Sequence, residues 1–258
     1  MPTPDPRRLT NQIALVTGAS SGIGVAVAKG LAAHGAKVVV NYAHDEKGAN
    51  ATVAAIEAAG GTAMFVRADV TQEDQVRGLV AAAEDTFGGL DFAFNNAGAI
   101  AETKPVHEIT DEDVTRVMGV NFTGTLLCLR HEIPSMLKRG GGVIVNTSST
   151  AAVRGNPGWG IYAASKAANL HLTRVAAAEL GPQGIRVNAV LPGPIDTPLF
   201  RVEANRTPGW TERAAGATAV KRMGRPEEVG AAVAWLCSDE ASFVTGLAMN
   251  VDGGSAMR

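Results

Sequence analysis

The segment Ile13-Ala-Leu-Val-Thr-Gly-Ala-Ser-Ser-Gly-Ile-Gly24 joins a short apolar run to a glycine-rich turn, and a helical pattern that ends at His34-Gly35 follows it. A short apolar run bounded by glycine is typical of a buried strand. Glycines at such a turn let the backbone bend tightly and approach a pyrophosphate, whose negative charge faces the free N–H groups of the helix start. The segment therefore predicts a dinucleotide-binding strand–turn–helix unit, although such glycines also serve close packing between strand and helix.

The rest of the chain alternates apolar runs with helical patterns. The runs cover residues 13–16, 37–41, 63–66, 90–94, 142–146, 186–191 and 247–250. Each is almost continuously apolar, which a parallel strand covered on both faces requires. Residues 76–87 carry an apolar stripe at helical spacing, and residues 162–180 end at Gly181-Pro182, so both predict helices. This order predicts an α/β fold, a single doubly wound parallel sheet with helices on both faces.

Two segments depart from this alternation. Residues 1–10 are polar and proline-rich and predict a flexible arm that precedes one domain over 11–258. Residues 192–225 carry four prolines, Trp210 and mixed charge. A long irregular segment inside a compact domain is usually a lid or binding loop. We therefore predict a substrate lid there, at the carboxyl end of the sheet.

Composition limits the classes of partner. The 258 residues include 23 Lys+Arg and 25 Asp+Glu, and a net charge of −2 argues against nucleic acid or an anionic membrane as main partner. Cys128 and Cys237 form no CxxC pattern, so we expect reduced thiols, without a disulfide or a metal site. No window approaches the roughly 18 unbroken apolar residues of a membrane span, and no signal peptide is recognisable, so we expect a cytoplasmic protein.

A phenol and an ammonium lie four residues apart in Tyr162-Ala-Ala-Ser-Lys166. On a helix these side chains share a face, one turn apart. A fixed positive charge favours the phenolate, so the pair suits acid–base chemistry near neutral pH. By itself the pair also fits an amphipathic helix with a half-buried tyrosine and a solvated lysine.

Polar residues follow the ends of two predicted strands. Ser149 follows the fifth strand, where a hydroxyl faces the ligand crevice of such sheets, although an ordinary turn serine has the same pattern. Asn95-Asn96-Ala97-Gly98 follows the fourth strand. Asn121 lies in the next helical region, where asparagine is mildly unfavourable and usually faces solvent or caps a turn.

In combination and in this order, the motifs resemble those of the short-chain dehydrogenase/reductase family. The matching motifs are Gly-xxx-Gly-x-Gly at 18–24, Asp69-Val70, Asn-Asn-Ala-Gly at 95–98, Asn121, Ser149, Tyr-xxx-Lys at 162–166, Pro192-Gly193-Pro-Ile-Asp-Thr197 and Val251-Asp-Gly-Gly254. The resemblance spans nearly the whole chain. It implies a Rossmann fold and hydride transfer between a nicotinamide and a carbonyl or alcohol carbon.

The resemblance also implies roles for four catalytic residues. Tyr162 would exchange a proton with the substrate oxygen, and Ser149 would hydrogen-bond that oxygen. Lys166 would hold the nicotinamide ribose and lower the pKa of Tyr162. Asn121 would hold a water that links Lys166 to solvent.

Cofactor contacts are implied along the carboxyl edge of the sheet. They are Gly18, Ser20, Ser21, Gly22, Ile23 and Gly24 at the pyrophosphate, Asn41, Tyr42, Ala43 and His44 at the second strand's end, Asp69 and Val70 at adenine, Asn96, Ala97 and Gly98 at ribose, and Pro192, Gly193, Ile195 and Thr197 with Tyr162 and Lys166 near the nicotinamide.

The residues at the end of the second strand help to predict whether the protein prefers NADP(H) or NAD(H). NAD-binding sheets place there a carboxylate that accepts from the ribose 2′-hydroxyl. The aligned residue is Tyr42, so we favour NADP(H), with Tyr42 and His44 at the 2′-phosphate. The arginine expected in an NADP(H)-binding protein is missing, since Ser21 is not basic, and the acidic Asp45 lies just beyond His44. NAD(H) therefore stays possible.

Substrate contacts are expected after the fifth strand and on the lid. They are Ser149, Thr150, Ala151, Trp159, Tyr162, Leu199 and Phe200, with Val202 and Trp210 on the same lid. Their largely apolar character suggests a hydrophobic ketone or secondary alcohol, unless the lid residues pack against the protein itself. Ala152 departs from the glycine of many relatives, a change that would shift the local backbone slightly.

These observations predict NADPH-dependent carbonyl reduction with Tyr162 as general acid/base. The main alternatives are an NAD-dependent alcohol dehydrogenase of the same family and a cofactor-binding regulator without turnover, which the presence of both Tyr162 and Lys166 disfavours. The glycine spacing disfavours a lyase or epimerase, and no Gly-x-Ser-x-Gly elbow surrounds Ser149 for a serine hydrolase.

The resemblance implies a homotetramer or dimer through residues 121–138 and 162–180 and the C-terminal segment. We also expect Pro134 to kink or end its helix.

Overall fold

The computed structural model describes residues 9–257, which form seven strands and nine α-helices. The strands are β1 (Ile13–Val16), β2 (Lys37–Tyr42), β3 (Thr62–Arg67), β4 (Phe92–Asn95), β5 (Gly142–Thr147), β6 (Ile185–Pro192) and β7 (Ala248–Val251). The helices are α1 (Gly22–Ala33), α2 (Glu46–Ala58), α3 (Glu73–Phe87), α4 (Asp111–Met118), α5 (Gly124–Lys138), α6 (Gly160–Leu180), α7 (Pro198–Arg206), α8 (Trp210–Ala217) and α9 (Pro226–Cys237). Every predicted strand lies within two residues of an observed one.

The strands form one parallel sheet in the order β3-β2-β1-β4-β5-β6-β7. Val16 of β1 pairs with Val40 of β2 on one side and Phe94 of β4 on the other. The chain order therefore reverses between β1 and β4. In doubly wound sheets, ligands bind outside the carboxyl ends of the strands at this switch point. The predicted fold is confirmed.

Alternate residues of each central strand enter two separate cores. Ala14 and Val16 of β1 belong to the core beneath α1, α2 and α9. Ile13 and Leu15 belong to the core beneath α3, α5 and α6. Because successive side chains of a strand point to opposite faces, a sheet covered on both sides needs apolar residues at every position. The edge strand β3 differs, since Phe65 is exposed there.

The packed part of the chain begins earlier than predicted. Leu9 is buried in the first core, and its backbone N–H donates to the carbonyl of His34 at 2.9 Å. Leu9 therefore belongs to the domain and not to a flexible arm. The remainder of the predicted arm, residues 1–8, lies outside the described residues.

The predicted irregular lid contains two short helices. Thr197 caps α7 by accepting from the N–H of Phe200, and Pro198 occupies the first turn, where a missing N–H has no cost. Gly209, at φ +69°, turns the chain into α8. The prolines that suggested irregular structure thus mark a helix start and a turn.

We expected Pro134 to kink or end its helix, and the structure shows that the helix does not end there. It lies inside α5, which continues to Lys138. The irregularity of this helical region lies earlier, where Gly119–Thr123 form a π-helical turn between α4 and α5. Such turns frequently occur at functional sites.

Within residues 9–257, no helix is long and apolar enough to span a membrane, and no group of three or more His, Cys, Asp or Glu side chains could hold a metal ion. Cys128 and Cys237 are buried free thiols.

Candidate active site

A cavity of about 1340 Å³ opens at the carboxyl edge of the sheet, beside the switch point. Of the sequence-predicted residues, it is lined by Gly18, Ser20, Ser21, Gly22, Ile23, Asn41, Ala43, His44, Asp69, Val70, Asn96, Ala97, Gly98, Ser149, Thr150, Ala151, Trp159, Tyr162, Lys166, Pro192, Gly193, Ile195, Thr197, Leu199, Phe200 and Trp210. Gly24, Tyr42, Asn121 and Val202 are not among the lining residues.

The glycine turn is held from both neighbouring strands. Gly18 and Gly22 have φ values of +61° and +56°, which side chains other than glycine rarely adopt. Asn41 of β2 accepts from the N–H of Gly18 at 3.2 Å, and Asn96 after β4 donates to the carbonyl oxygens of Thr17 and Gly18. These bonds fix the turn at the cavity floor.

The N-terminus of α1 faces the same cavity without a side-chain cap. Ser21, the N-cap residue, makes no capping hydrogen bond, and the first turn contains no acidic residue. The first N–H groups of a helix lack intrahelical partners and carry a partial positive charge. An uncapped start at a glycine turn fits a pyrophosphate. Gly24 allows the helix to pack closely against the turn. A Cβ at this position would collide with the Gly18 carbonyl oxygen and lie 2.8 Å from the Ala19 Cα.

Three polar side chains meet on the opposite wall of the cavity. Ser149 follows β5, while Tyr162 and Lys166 lie one turn apart on α6. The Tyr162 phenol hydrogen-bonds the Ser149 side chain. The ammonium of Lys166 donates to the carbonyl oxygen of Thr147 at 2.8 Å and lies 5.9 Å from the Tyr162 ring centroid. The structure thus brings together the predicted serine, tyrosine and lysine.

The pKa of Tyr162 shifts opposite to our expectation. Burial raises the pKa of the phenol above its usual value near 10, and the hydrogen bond with Ser149 only partly offsets this rise. Burial also lowers the pKa of Lys166 to about 8, because few waters solvate its charge. Desolvation outweighs the attraction expected from the Tyr-xxx-Lys spacing, so Tyr162 is held as the neutral phenol.

Asn121 lies behind the cavity wall, in the π-helical turn. It is fully buried, so it is neither solvent-facing nor in regular helix. Its amide oxygen accepts from the N–H of Ala99 at 2.8 Å, and its amide nitrogen donates to the Ala99 carbonyl and the Ser165 hydroxyl. The amide therefore positions the backbone that follows Gly98. Its predicted hold on a water stays a prediction.

Tyr42 lies away from the cavity, which corrects its predicted contact with a 2′-phosphate. Its side chain is buried, and its ring packs edge-on against Phe65 at 6.0 Å. Side chains alternate along a strand, so the polar Asn41 turns toward the glycine loop while Tyr42 turns into the core. His44 and Asp45 line the cavity at this end, and Asp45 accepts from the N–H of Gly48 as the cap of α2.

The other end of the cavity has an aromatic wall. Trp159 lies edge-on to Tyr162 at 5.5 Å between ring centroids and stacks on Trp210 of α8 at 6.1 Å. Leu199 and Phe200 of α7 also line this end, whereas Val202 is exposed and turned elsewhere. The lid prediction therefore identified most of this wall but included one residue that faces away from it.

The sequence analysis did not predict several of the residues that line the cavity. They include Asp45, Ile100, Arg116, Arg154, Asn156, Glu203, Arg213 and Ser255. Asp45 carries a recognisable signal, because an aspartate before a helical pattern predicts an N-cap. Arg154 and Ser255 come from distant loops that only the fold brings together.

Comparison with known proteins agrees with this geometry. A family model described as enoyl-(acyl carrier protein) reductase matches residues 18–256. The chain is 42% identical over 247 residues to 2,5-dichloro-2,5-cyclohexadiene-1,4-diol dehydrogenase of Sphingobium indicum, covering 95% of this chain and 97% of that protein. It is also 42% identical over 243 residues to cis-4-hydroxycyclohexanecarboxylate dehydrogenase of Sinomonas cyclohexanicum, covering 94% and 96%.

Among solved structures, levodione reductase superposes with a TM-score of 0.93 at 35% identity, covering 97% of this chain and 99% of that one. Dehydrogenases and reductases thus recur among the relatives in sequence and in structure. The chain belongs to the short-chain dehydrogenase/reductase family and is an oxidoreductase that acts on CH–OH or C=O groups with NAD(P).

Proposed function

We propose that this protein reduces a cyclic ketone, or oxidises the matching secondary alcohol, with NADP(H) as the favoured cofactor and Tyr162 as the general acid/base. The observation that carries the proposal is the convergence of Ser149, Tyr162 and Lys166 in the cavity that the glycine turn also lines. A cofactor on that turn and a carbonyl at the two hydroxyls would share this one cavity.

The chemistry divides between cofactor and protein. The bound nicotinamide supplies the hydride that the carbonyl carbon accepts. Ser149 and Tyr162 hold the carbonyl oxygen with their hydroxyls, which stabilises the negative charge that develops there. Tyr162 then gives its proton to that oxygen, which completes the alcohol. Oxidation runs the same steps in reverse and begins with the phenolate.

Lys166 supports this proton transfer from a fixed position. Its hydrogen bond to the Thr147 carbonyl keeps the ammonium beside the Tyr162 ring. A positive charge there stabilises the phenolate left after proton donation. We also propose that Lys166 holds the nicotinamide ribose and that a water held at Asn121 returns the proton from solvent.

A cyclic substrate is favoured by the aromatic wall and by the relatives. Trp159 lies edge-on to Tyr162 and stacks on Trp210, and together they form an aromatic wall against which a ring packs well. The dichlorocyclohexadienediol and hydroxycyclohexanecarboxylate dehydrogenases are named for six-membered rings that carry hydroxyls.

A screen of cyclic and open-chain ketones and alcohols tests the assignment. Turnover is measured with each cofactor through the absorbance of the reduced nicotinamide. Absence of turnover on every carbonyl and alcohol would contradict it.

The preference for NADP(H) depends on the charges near Ala43. His44 lines the cavity, and the guanidinium of Arg67 donates to the Ala43 carbonyl at 3.3 Å, so one imidazole and one guanidinium lie at this edge. The carboxylate of Asp45 opposes the charge of Arg67. If a 2′-phosphate binds here, Arg67→Gln lowers kcat/KM for NADPH about tenfold and leaves NADH unchanged, while Asp45→Asn raises use of NADPH. A wild-type preference for NADH, lost in Asp45→Asn, would contradict this assignment.

We also propose a homo-oligomer, a tetramer or dimer. Phe243 is fully exposed, and Val175 of α6 and Leu137 of α5 are large apolar residues left exposed on the surface. Light scattering coupled to gel filtration should give a mass of two or four chains. A monomer at micromolar concentration would contradict this expectation.

A further inference from the structure

The substrate end of the cavity contains two arginines that the hydride chemistry does not use. Arg154 lies on the loop between Ser149 and Trp159, and Arg213 lies on α8 of the lid. Neither forms an ion pair with any residue between 9 and 257. Hydride transfer to a neutral ring gives these two guanidinium groups no role.

Arg154 is held in place by the C-terminal segment. One of its terminal nitrogens donates to the carbonyl oxygen of Ser255 at 2.6 Å, and both residues line the cavity. The side chain is half-buried, and this is its one hydrogen bond within the described part of the chain. A guanidinium has five N–H donors in a planar fork. Arg154 is therefore oriented in advance and keeps most of its donors available.

Arg213 is exposed, and its side chain lies against the aromatic wall. Its guanidinium lies 5.7 Å from the centroid of the Trp210 ring, and one nitrogen donates to the carbonyl oxygen of Pro208 at 2.9 Å. Trp210 in turn stacks on Trp159, which contacts Tyr162. A continuous chain of ring contacts thus leads from the catalytic phenol to this second guanidinium.

One carboxylate shares this end of the cavity. Glu203 of α7 is buried, and its Oε1 accepts from the hydroxyls of Thr103 and Thr207, both at 3.1 Å. These bonds bind Glu203 to the loop after β4 and not to either arginine. With Lys166 beside Tyr162, three cations and one carboxylate line this end of the cavity, an excess of two positive charges next to apolar walls, which favours an anion.

We propose that the substrate carries a carboxylate, which Arg154 and Arg213 bind while its ring packs on Trp159 and its carbonyl reaches Tyr162. This proposal rests on the proposed function and names its substrate class: a cyclic keto acid or hydroxy acid. Paired N–H donors of a guanidinium match the two oxygens of a carboxylate in geometry and charge.

The turnover test compares 4-oxocyclohexanecarboxylate with its methyl ester, which has the same ring and carbonyl but no charge. We expect kcat/KM for the acid to exceed that for the ester at least tenfold. Arg154→Gln and Arg213→Gln should each bring this ratio close to one. The control is Arg201→Gln, because Arg201 pairs with Asp196 on the lid's outer side and does not line the cavity.

A binding test does not require turnover. Cyclohexanecarboxylate and cyclohexanecarboxamide are titrated into the cofactor-free protein while the fluorescence of Trp159 and Trp210 is followed in a Trp235→Phe background. Trp235 packs beside the first core and does not line the cavity. The carboxylate should bind at least tenfold more tightly than the amide, and Arg154→Gln should remove that difference.

The outcomes separate this proposal from the function on which it rests. If acid and ester are reduced equally well and the two binding ligands are equal, the carboxylate proposal fails while the reductase assignment stands. If no ketone is turned over but the carboxylate binds selectively through Arg154, the anion site stands and the reductase assignment fails. Selectivity that survives in both arginine variants would also overturn the proposal.

Discussion

At the scale of single residues, the environment of Tyr162 differs from what its spacing to Lys166 suggested. Sequence identifies a phenol and an ammonium on one helical face, and it predicts a lowered phenol pKa. The fold buries both groups, so desolvation raises the pKa of Tyr162 and lowers that of Lys166 to about 8. Burial depends on which distant segments cover a site, and local spacing does not contain that information.

The raised phenol pKa predicts a direction for each reaction. The protonated phenol persists through neutral pH, so the proton that reduction needs is present, whereas oxidation needs the scarce phenolate. We expect reduction to vary little between about pH 6 and about pH 7 and to slow as Lys166 loses its charge around pH 8, and oxidation to accelerate as pH rises through the alkaline range. Initial rates in both directions across this range measure the effect.

Spectroscopic titration of the phenolate provides an independent check. The chain contains only two tyrosines, Tyr42 and Tyr162, and burial raises the pKa of both. The cofactor-free protein should show almost no phenolate absorbance below about pH 10. A phenolate that forms near pH 7, and is missing in Tyr162→Phe, would refute the raised pKa.

At the scale of elements, the glycine turn illustrates what sequence predicts well. The positions of β1 and α1 follow from the apolar run and the glycines, because both signals are local. The role of each glycine is not local. Gly18 and Gly22 adopt positive φ at the cavity, whereas Gly24 permits close contact between α1 and the turn beneath it.

Gly24→Ala tests that close contact. The added methyl group would overlap the Gly18 carbonyl, so we expect a loss of about 1–3 kcal/mol in the free energy of unfolding, with weaker cofactor binding. Gly78→Ala is the matched control, since Gly78 lies on the exposed face of α3 with no atom near the new methyl group. It should stabilise the protein by up to about 1 kcal/mol in urea denaturation. Equal effects of the two changes would contradict this account.

A buried polar network joins β4, β5, α5 and α6 behind the site. The amide nitrogen of Asn95 donates to Glu132 and to Asn146, each at 3.0 Å, and Asn146 donates to Thr173. Glu132 is fully buried, and burial raises its pKa to about 7. Among residues 9–257, Glu132 Oε1 and Asn95 Oδ1 have no hydrogen-bond partner. A proton on Glu132 would turn Oε1 from an unsatisfied acceptor into a donor.

Glu132 should therefore make stability depend on pH. The folded protein binds this proton more tightly than the unfolded chain, so the stabilisation is complete below about pH 4.5 and is lost as pH rises through about 7. Glu132→Gln mimics the neutral acid. It should match the wild-type protein in acid and exceed its unfolding free energy by up to about 3 kcal/mol in alkali.

Urea denaturation of both proteins across this pH range measures the difference. Glu132→Ala is the control, because it removes the partner of Asn95 and should lose stability at every pH. A Glu132→Gln protein less stable than wild type in alkali would show that the network holds an ionised carboxylate.

At the scale of the whole molecule, the sequence predicts the sheet and most of the cavity but not its far end. The apolar runs and the order of motifs lead to the doubly wound sheet, and parallel strands collect Gly18, Asn96 and Ser149 at one edge. Arg154 and Ser255 meet across 101 positions of chain. Contacts of that kind depend on loop paths, for which a single sequence carries no periodic signal.

The central claim is that Tyr162 gives the proton while the glycine turn holds the cofactor. The most direct measurement compares Tyr162→Phe with the wild-type protein on a ketone that the screen identifies, with the cofactor dissociation constant determined in parallel. We predict that kcat falls by about 10²–10⁴-fold while the cofactor binds as before, because the phenyl ring fills the same space without a proton. Undiminished turnover by Tyr162→Phe would contradict the claim.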